Sequence, residues 1–133
     1  MTDTIRVVVV DDSISFREAL IGFLSGLPAL TVVGEAADGQ EAIQVVSEST
    51  PDVVIMDVVM PRMDGIAATR ALKGLQSAPR VIICTLVEDQ VLQEMALAAG
   101  ADAFVLKRHM VERIERLVHA PHRPTRRSAG WRS

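Results

Sequence analysis

The chain has 133 residues and 49% of them are apolar, which suits one domain of ordinary size with its own hydrophobic core. Its net charge is −3, and no apolar run approaches the roughly 20 residues of a membrane-spanning helix. The single cysteine excludes an internal disulfide and a cysteine zinc site, and the first residues lack a signal-peptide pattern, so we expect a cytoplasmic location and no membrane partner.

The charge is distributed unevenly along the chain. Residues 119–133 contain four arginines and no acid, which leaves the rest of the chain with a net charge of −7. A compact acidic body does not suggest that this domain itself binds nucleic acid. Because prolines and a glycine interrupt the end of the chain, we expect a domain at residues 1–119 and a basic, disordered tail or linker at residues 120–133.

Short apolar runs that suit buried strands alternate with segments that have apolar residues at helical spacing. In chain order, the predicted elements are strand 6–10, helix 14–24, strand 30–34, helix 41–49, strand 52–56, helix 65–75, strand 81–84, helix 89–99, strand 103–106 and helix 110–118. Five such βα units predict an α/β fold with a five-stranded parallel sheet, doubly wound and flavodoxin-like, with helices on both faces.

Polar residues stand at the carboxyl ends of four of these strands. Asp11 and Asp12 follow the first strand, Asp57 follows the third, Thr85 follows the fourth and Lys107 follows the fifth. Ligands bind at this edge of open parallel sheets, so we expect these side chains to form one site.

The residues of this expected site suit phosphoryl transfer. Three neighbouring carboxylates stay ionised together only if a cation neutralises them, and oxygen ligands of this kind favour Mg²⁺. A carboxylate can also act as a nucleophile and form an aspartyl phosphate. Lys107 could then supply positive charge, and Thr85 a hydroxyl, to the oxygens of the transferred group.

Each residue also has an ordinary structural interpretation. Asp12, followed by Ser13, could merely cap a helix, and Ser13 could also cap the segment that follows. Thr85 could be a β-branched strand end, and Lys107 a solvated surface lysine. The convergence of these residues on one edge favours a shared site. We interpret Cys84 as an inert core residue and Asp64-Gly65 as a turn.

Four motifs resemble the receiver domains of two-component response regulators, over roughly residues 5–118. They are Val-Val-Val-Val-Asp-Asp at 7–12, Pro-Asp-Val-Val-Ile-Met-Asp-Val-Val-Met-Pro-Arg-Met-Asp-Gly at 51–65, Thr85, and Gly-Ala-Asp-Ala-Phe-Val-Leu-Lys at 100–107. Residues 16–20 and 33–39 are similar to the branch of the family that usually carries a C-terminal helix-turn-helix domain.

The resemblance implies a phosphoacceptor and a metal site. Asp57 matches the family's phosphorylated aspartate. Asp11 and Asp12 match the acidic pair that binds Mg²⁺ together with Asp57, and Val59 matches the position that adds a backbone carbonyl ligand.

The resemblance also implies a switch and partners. Thr85 and Phe104 match the switch residues, and Lys107 matches the lysine that pairs with the phosphoryl group. A sensor histidine kinase would be the phosphoryl donor, and phosphorylation would promote a homodimer through the last two helices and the last strand. The domain would catalyse only its own phosphorylation and slow dephosphorylation, and would regulate transcription if a longer chain exists.

Three other functions remain open from the sequence. A phosphohydrolase with an aspartate nucleophile would share Asp57, Thr85 and Lys107, but needs a second acid at the position of Val59. A binding module with an inactive site would not need the acidic pair. A flavin-binding protein would require a phosphate loop rich in Ser, Thr and Gly after the first strand, where Asp11-Asp12-Ser13-Ile14 would instead repel a phosphate without a metal.

Overall fold

The computed structural model describes residues 4–120, in which five strands alternate with five α-helices. These elements are β1 (Ile5–Val10), α1 (Ile14–Ser25), β2 (Leu30–Ala36), α2 (Gly39–Ser49), β3 (Val53–Met56), α3 (Gly65–Lys73), β4 (Arg80–Thr85), α4 (Gln90–Ala98), β5 (Ala103–Leu106) and α5 (Met110–His119), with a 3₁₀ turn at Lys107–His109 before α5. The predicted alternation is therefore confirmed.

The strands form one sheet in the order β2-β1-β3-β4-β5, and every neighbouring pair is parallel. This confirms the doubly wound, flavodoxin-like fold expected from the sequence. The strand order reverses between β1 and β3, and in such sheets the carboxyl ends at this point leave a crevice. The fold therefore provides a binding position directly beyond β1 and β3.

The core lies on both faces of the sheet. Side chains of α2, α3 and α4 cover one face, and side chains of α1 and α5 cover the other. Residues 7–10 of β1 and all of β3 are almost fully buried because they lie between these two layers. Burial on both faces explains why these strands are continuous apolar runs and not alternating ones.

Most boundaries lie within one residue of the expected ones, but at the carboxyl edge of the sheet the end of β2 and the start of α2 each differ by two residues. β2 continues past Gly34 to Ala36 because its last residues pair with the end of β1. α2 begins at Gly39, since Asp38 is its N-cap and accepts a hydrogen bond from the N–H of Glu41 at 2.9 Å. The extra residues of β2 and the earlier start of α2 both lie at the edge of the sheet that carries the polar residues.

Asp64 and Gly65 form the beginning of α3, so their interpretation as an ordinary turn is corrected. Asp64 is the N-cap and accepts from the N–H of Ala67 at 2.8 Å. The N–H of Gly65 donates to the carbonyl of Val58 at 2.8 Å, and a Cβ atom on Gly65 would overlap the carbonyl oxygen of Asp57. Glycine is therefore required where α3 approaches the end of β3.

None of the helices within residues 4–120 is long and apolar enough to cross a membrane. The tail predicted for residues 120–133 lies, from residue 121 onward, outside the described residues.

Candidate functional site

Three carboxylates meet at the carboxyl ends of β1 and β3. Asp11 and Asp12 directly follow β1, Asp57 directly follows β3, and one carboxylate oxygen of each lies within 4.8 Å of the others. Asp11 and Asp57 are buried, whereas Asp12 is exposed. The pocket is therefore open to solvent on the side of Asp12.

Backbone hydrogen bonds hold the two buried aspartates in place. The N–H of Asp57 donates to the carbonyl of Val10 at 3.1 Å, and the N–H of Asp11 donates to the carbonyl of Ala36 at 3.0 Å. These bonds continue the sheet ladder one residue beyond β3 and β1. The buried carboxylates are thus positioned by the sheet itself.

The start of α1 fixes the loop that carries Asp11 and Asp12. The carboxylate of Asp11 accepts from the N–H of Ser13 at 2.8 Å, and the hydroxyl of Ser13 accepts from the N–H of Phe16 at 3.3 Å. Ser13 is therefore the N-cap of α1, as predicted, and the alternative role of Asp12 as that cap is wrong.

Lys107 extends from the end of β5 into the acidic pocket. Its Nζ lies 2.7 Å from Oδ2 of Asp11 and 3.3 Å from Oδ2 of Asp57, and only 8% of its side chain is exposed. Burial alone would lower the pKa of Lys107, but the hydrogen bond to Asp11 and the charges of both aspartates outweigh it and raise that pKa. Lys107 is thus a charged pocket residue, not a solvated surface lysine.

Asp57 is desolvated but hydrogen-bonded. Its Oδ1 accepts from the N–H of Val58 at 2.7 Å and faces the N–H of Val59 at 3.4 Å. Burial raises the pKa of Asp57, and the nearby charge of Asp11 adds to this effect, while Lys107 opposes it. Because the ionised carboxylate is less favourable here than in water, a further cation at this position would stabilise it.

The donor set fits a hard divalent cation. Asp11, Asp12 and Asp57 offer converging carboxylate oxygens, and Mg²⁺ prefers oxygen ligands and retains several waters. The backbone of Val59 borders the pocket while its side chain points outward and is 64% exposed. A carbonyl ligand from Val59 would therefore not depend on its apolar side chain.

Thr85 and Phe104 lie in the sheet beside this cluster. Thr85 ends β4 at the same edge, is buried, and accepts from the N–H of Val87 at 3.5 Å. Phe104 lies in β5, opposite Ile83 of β4, and lines a groove between α4 and α5. Their roles as switch residues stay predictions.

Cys84 is buried within β4, as expected for an inert core residue. Burial raises the pKa of its thiol to about 12, so the reactive thiolate is suppressed at neutral pH.

Two further residues at the pocket were not identified from the sequence. The ring centroid of Phe16 lies 4.2 Å from Nζ of Lys107. Arg17 donates to the backbone carbonyl of Asp11 and pairs with Glu35 at 2.7 Å. The sequence did contain a signal for Phe16. Only 3% of the residues are aromatic, and this one lies close to the acidic pair.

A further ion pair restrains the loop after β3. The guanidinium of Arg62 contacts Oδ2 of Asp38 at 2.6 and 2.7 Å, and the N–H of Gly39 donates to the carbonyl of Met63 at 3.0 Å. Arg62 adopts a positive φ of 66°. The loop beside Asp57 is thereby held against the beginning of α2.

Sequence comparison identifies relatives of this chain. A family model described as the response regulator receiver domain matches residues 7–119. A protein-glutamate methylesterase/protein-glutamine glutaminase of Myxococcus xanthus is 44% identical over 79% of this chain and 30% of its own length. The transcriptional regulatory protein LiaR of Bacillus subtilis is 40% identical over 77% of this chain and 49% of its own length. The chain thus spans 30% of the length of the first of these relatives and 49% of the length of the second.

Solved structures agree with this assignment. The signal receiver domain of NarL from Mycobacterium tuberculosis superimposes with a TM-score of 0.82 at 31% identity, over 90% of this chain and all of that one. A LuxR-family response regulator from Aurantimonas sp. has a TM-score of 0.81 at 32% identity, over 96% of this chain and 94% of that one. Together with the match over residues 7–119, these relatives show that the chain belongs to the receiver domain family of response regulators.

Proposed function

We propose that this domain accepts a phosphoryl group on Asp57 from the phosphohistidine of a sensor histidine kinase and changes conformation in response. The observation that carries this proposal is the position of Asp57. It stands at the switch point of the sheet, with two further carboxylates within 4.8 Å and an ammonium group 3.3 Å away. This arrangement provides a nucleophile, oxygen ligands for a cation and a positive charge in one pocket.

The transfer step uses one carboxylate oxygen of Asp57 as the nucleophile. That oxygen forms a bond to phosphorus while the bond between phosphorus and the imidazole nitrogen of the donor breaks, and its electron pair remains on the imidazole. The ammonium of Lys107 and the N–H groups of Val58 and Val59 already face the oxygens of Asp57. The same groups are therefore in position to stabilise negative charge on the transferred group.

Receiver domains bind Mg²⁺ at a cluster of acidic residues, and this chain has such a cluster. The carboxylates of Asp11, Asp12 and Asp57 and the carbonyl of Val59 would hold the ion. The ion would neutralise the carboxylates and the oxygens of the incoming phosphoryl group.

The output of the whole protein is a separate proposal. LiaR is a transcriptional regulatory protein and two similar structures are of the LuxR family, so transcription is the output that we propose. The methylesterase relatives show that similar receivers also occur with another output. The surface of α4, β5 and α5 is the proposed homodimer interface.

Incubation with acetyl phosphate, followed by intact mass spectrometry, tests the proposed function. We expect one phosphoryl group per chain in the presence of Mg²⁺ and none after chelation. No mass increase would support an inactive binding module. Repeated hydrolysis of a generic phosphate ester would instead support a phosphohydrolase.

A further inference from the structure

The ammonium of Lys107 has three close neighbours in the pocket. Two are the carboxylates of Asp11 and Asp57, and the third is the ring of Phe16, whose centroid is 4.2 Å from Nζ. Phe16 lies in the first turn of α1, is half-buried, and packs against the core on the α1 side of the sheet. The ring therefore has a fixed position relative to β1.

An aromatic face attracts an ammonium group more strongly when both are shielded from water. Only 8% of the Lys107 side chain is exposed, so this contact is largely shielded. A lysine side chain has four carbons and many rotamers, and holding it in one position costs conformational entropy. The ring offsets part of that cost.

The carboxylates and the ring differ in one respect. Asp11 and Asp57 belong to the acidic cluster that suits a divalent cation, and a cation there would compete with the ammonium for the same oxygens. The face of Phe16 offers no ligand to such an ion, so its attraction for Lys107 does not depend on whether the acidic cluster is occupied.

We infer that Phe16 is a positioning residue, whose ring keeps the Lys107 ammonium in the pocket beside Asp57. The inference rests on the proposed function in one respect only: the ammonium so placed is the group that pairs with the phosphoryl oxygens. The ring does not itself contact the reacting atoms.

Lysine-selective isotope labelling tests the placement without any reaction. The chain has only two lysines, and the second, Lys73, pairs with Asp102 and with the carbonyl of Pro79. In the wild type we expect the ring current of Phe16 to shift the Lys107 side-chain NMR signals upfield of those of Lys73. Phe16→Leu should remove that shift, Phe16→Tyr should keep it, and Lys73 should be unchanged in both variants.

The rate of phosphorylation tests whether this placement of the Lys107 ammonium matters for phosphoryl transfer. Phe16→Leu should slow phosphorylation by acetyl phosphate by about three- to ten-fold, and Phe16→Tyr should restore the rate. Phe23→Leu is the matched control, because Phe23 is a half-buried aromatic residue of the same helix that packs into the same core cluster. That variant should react at the wild-type rate. Mg²⁺ affinity, measured by the thermal shift, should not weaken in Phe16→Leu.

Several outcomes would overturn the inference. An unshifted Lys107 signal in the wild type would show that the ring does not hold the ammonium. Equal slowing in Phe23→Leu, or a parallel loss of Mg²⁺ affinity in Phe16→Leu, would show a purely structural effect of packing in α1. A wild-type rate in Phe16→Leu would show that the placement is irrelevant to transfer. Failure of the wild type to react at all would refute the proposed function, while the NMR shift would still decide the placement.

Discussion

Asp11 and Asp12 are adjacent in sequence but differ in their surroundings. Asp11 is buried, accepts from the N–H of Ser13 and pairs with Lys107. Asp12 is exposed and is not the cap of α1. The two carboxylates should therefore contribute differently to the stability of the metal-free protein.

We predict that Asp12→Asn weakens Mg²⁺ binding while leaving the metal-free melting temperature equal or higher, because the change removes a ligand and also relieves repulsion among the carboxylates. Asp11→Asn should lower the metal-free melting temperature, since it weakens a buried ion pair. Thermal melts with and without Mg²⁺ measure both effects. A clear loss of metal-free stability in Asp12→Asn would contradict the prediction.

The ion pair of Asp38 with Arg62 predicts a pH dependence of stability. The N–H of Glu41, followed by the guanidinium of Arg62, holds the pKa of Asp38 below its ordinary value of 3.8. A carboxylate whose pKa is lower in the folded state stabilises the protein above its unfolded pKa, and this contribution is lost as the pH falls through the folded pKa.

Asp38→Asn keeps a cap acceptor for α2 but removes the charge. At neutral pH the variant should therefore be less stable than wild type by the full contribution of this charge. Below about pH 4 the difference in stability between the two proteins should shrink progressively. Urea unfolding at several pH values measures the difference. A difference that stays constant down to strongly acidic pH would show that the charge is not responsible.

Apolar residues follow both Asp57 and Thr85 at the carboxyl edge of the sheet. Val59, Leu86 and Val87 are all at least half exposed. Because hydrolysis of an aspartyl phosphate needs a positioned water, we predict that the phosphoryl group is lost slowly, and that Val59→Asn shortens its lifetime. Intact mass followed over time measures this at room temperature, and complete loss within seconds in the wild type would contradict it.

The sequence predicts the residues of the pocket better than their contacts. Asp57 and Lys107 could be assigned because each directly follows an apolar strand, and parallel strands bring these ends together. The contact between Phe16 and Lys107 could not be predicted from the sequence, because it joins residues that are far apart along the chain. The pair of Asp38 with Arg62 likewise depends on how two loops meet.

At the scale of elements, α3 begins unusually close to the end of β3. Gly65 donates to the carbonyl of Val58, and a side chain there would overlap the backbone of Asp57. Gly22, in α1, has no atom within 4 Å of the position that its Cβ would take. Gly65 and Gly22 therefore form a matched pair for alanine substitution, because a side chain has no space at the first and open space at the second.

Gly65→Ala should lower the free energy of unfolding by at least about 2 kcal/mol, because α3 or the loop before it must move. Gly22→Ala should raise it by about 0.5–1 kcal/mol, since alanine favours an exposed helix position. Urea denaturation measures both. If Gly65→Ala were as stable as wild type, the close approach would be easily relaxed.

Element boundaries were predicted less well than the elements themselves. The buried apolar runs and the caps are local signals, so β1, β3 and α1 could be placed from sequence. The end of β2 could not be placed from sequence, because Glu35 is polar and belongs to the strand only through its pairing with β1. The start of α3 was predicted correctly at Gly65, but the role of Asp64 as its N-cap was missed because the Asp64-Gly65 pair suits a turn as well as a helix cap.

At the scale of the whole molecule, α4, β5 and α5 present a groove of about 420 Å³ that Phe104 lines. Glu88 and Glu94 lie on its α4 side and Arg113 on its α5 side. In a two-fold symmetric pair each copy contributes the same patch, so the acidic side of one could face the basic side of the other. The groove thus has the charge distribution of a self-complementary surface.

We predict that phosphorylation promotes a homodimer through this groove. The coupling available is about 1–3 kcal/mol, so the shift should be graded. Sedimentation with and without beryllofluoride, a mimic of the bound phosphoryl group, measures it, and Thr85→Ala should still accept phosphate but lose most of the shift. An unchanged mass at about a hundred micromolar, where a dimer of about −5 to −6 kcal/mol begins to form, would refute the dimer alone.

The central claim is that Asp57 is the phosphoacceptor, and Asp57→Asn tests it most directly. Asparagine keeps the shape of the side chain and its contact with the N–H of Val58 but is not a nucleophile. With acetyl phosphate and Mg²⁺, intact mass spectrometry should show a phosphorylated wild type and an unmodified variant. A Mg²⁺-dependent phosphoryl group on Asp57→Asn, gained at the wild-type rate, would contradict the account.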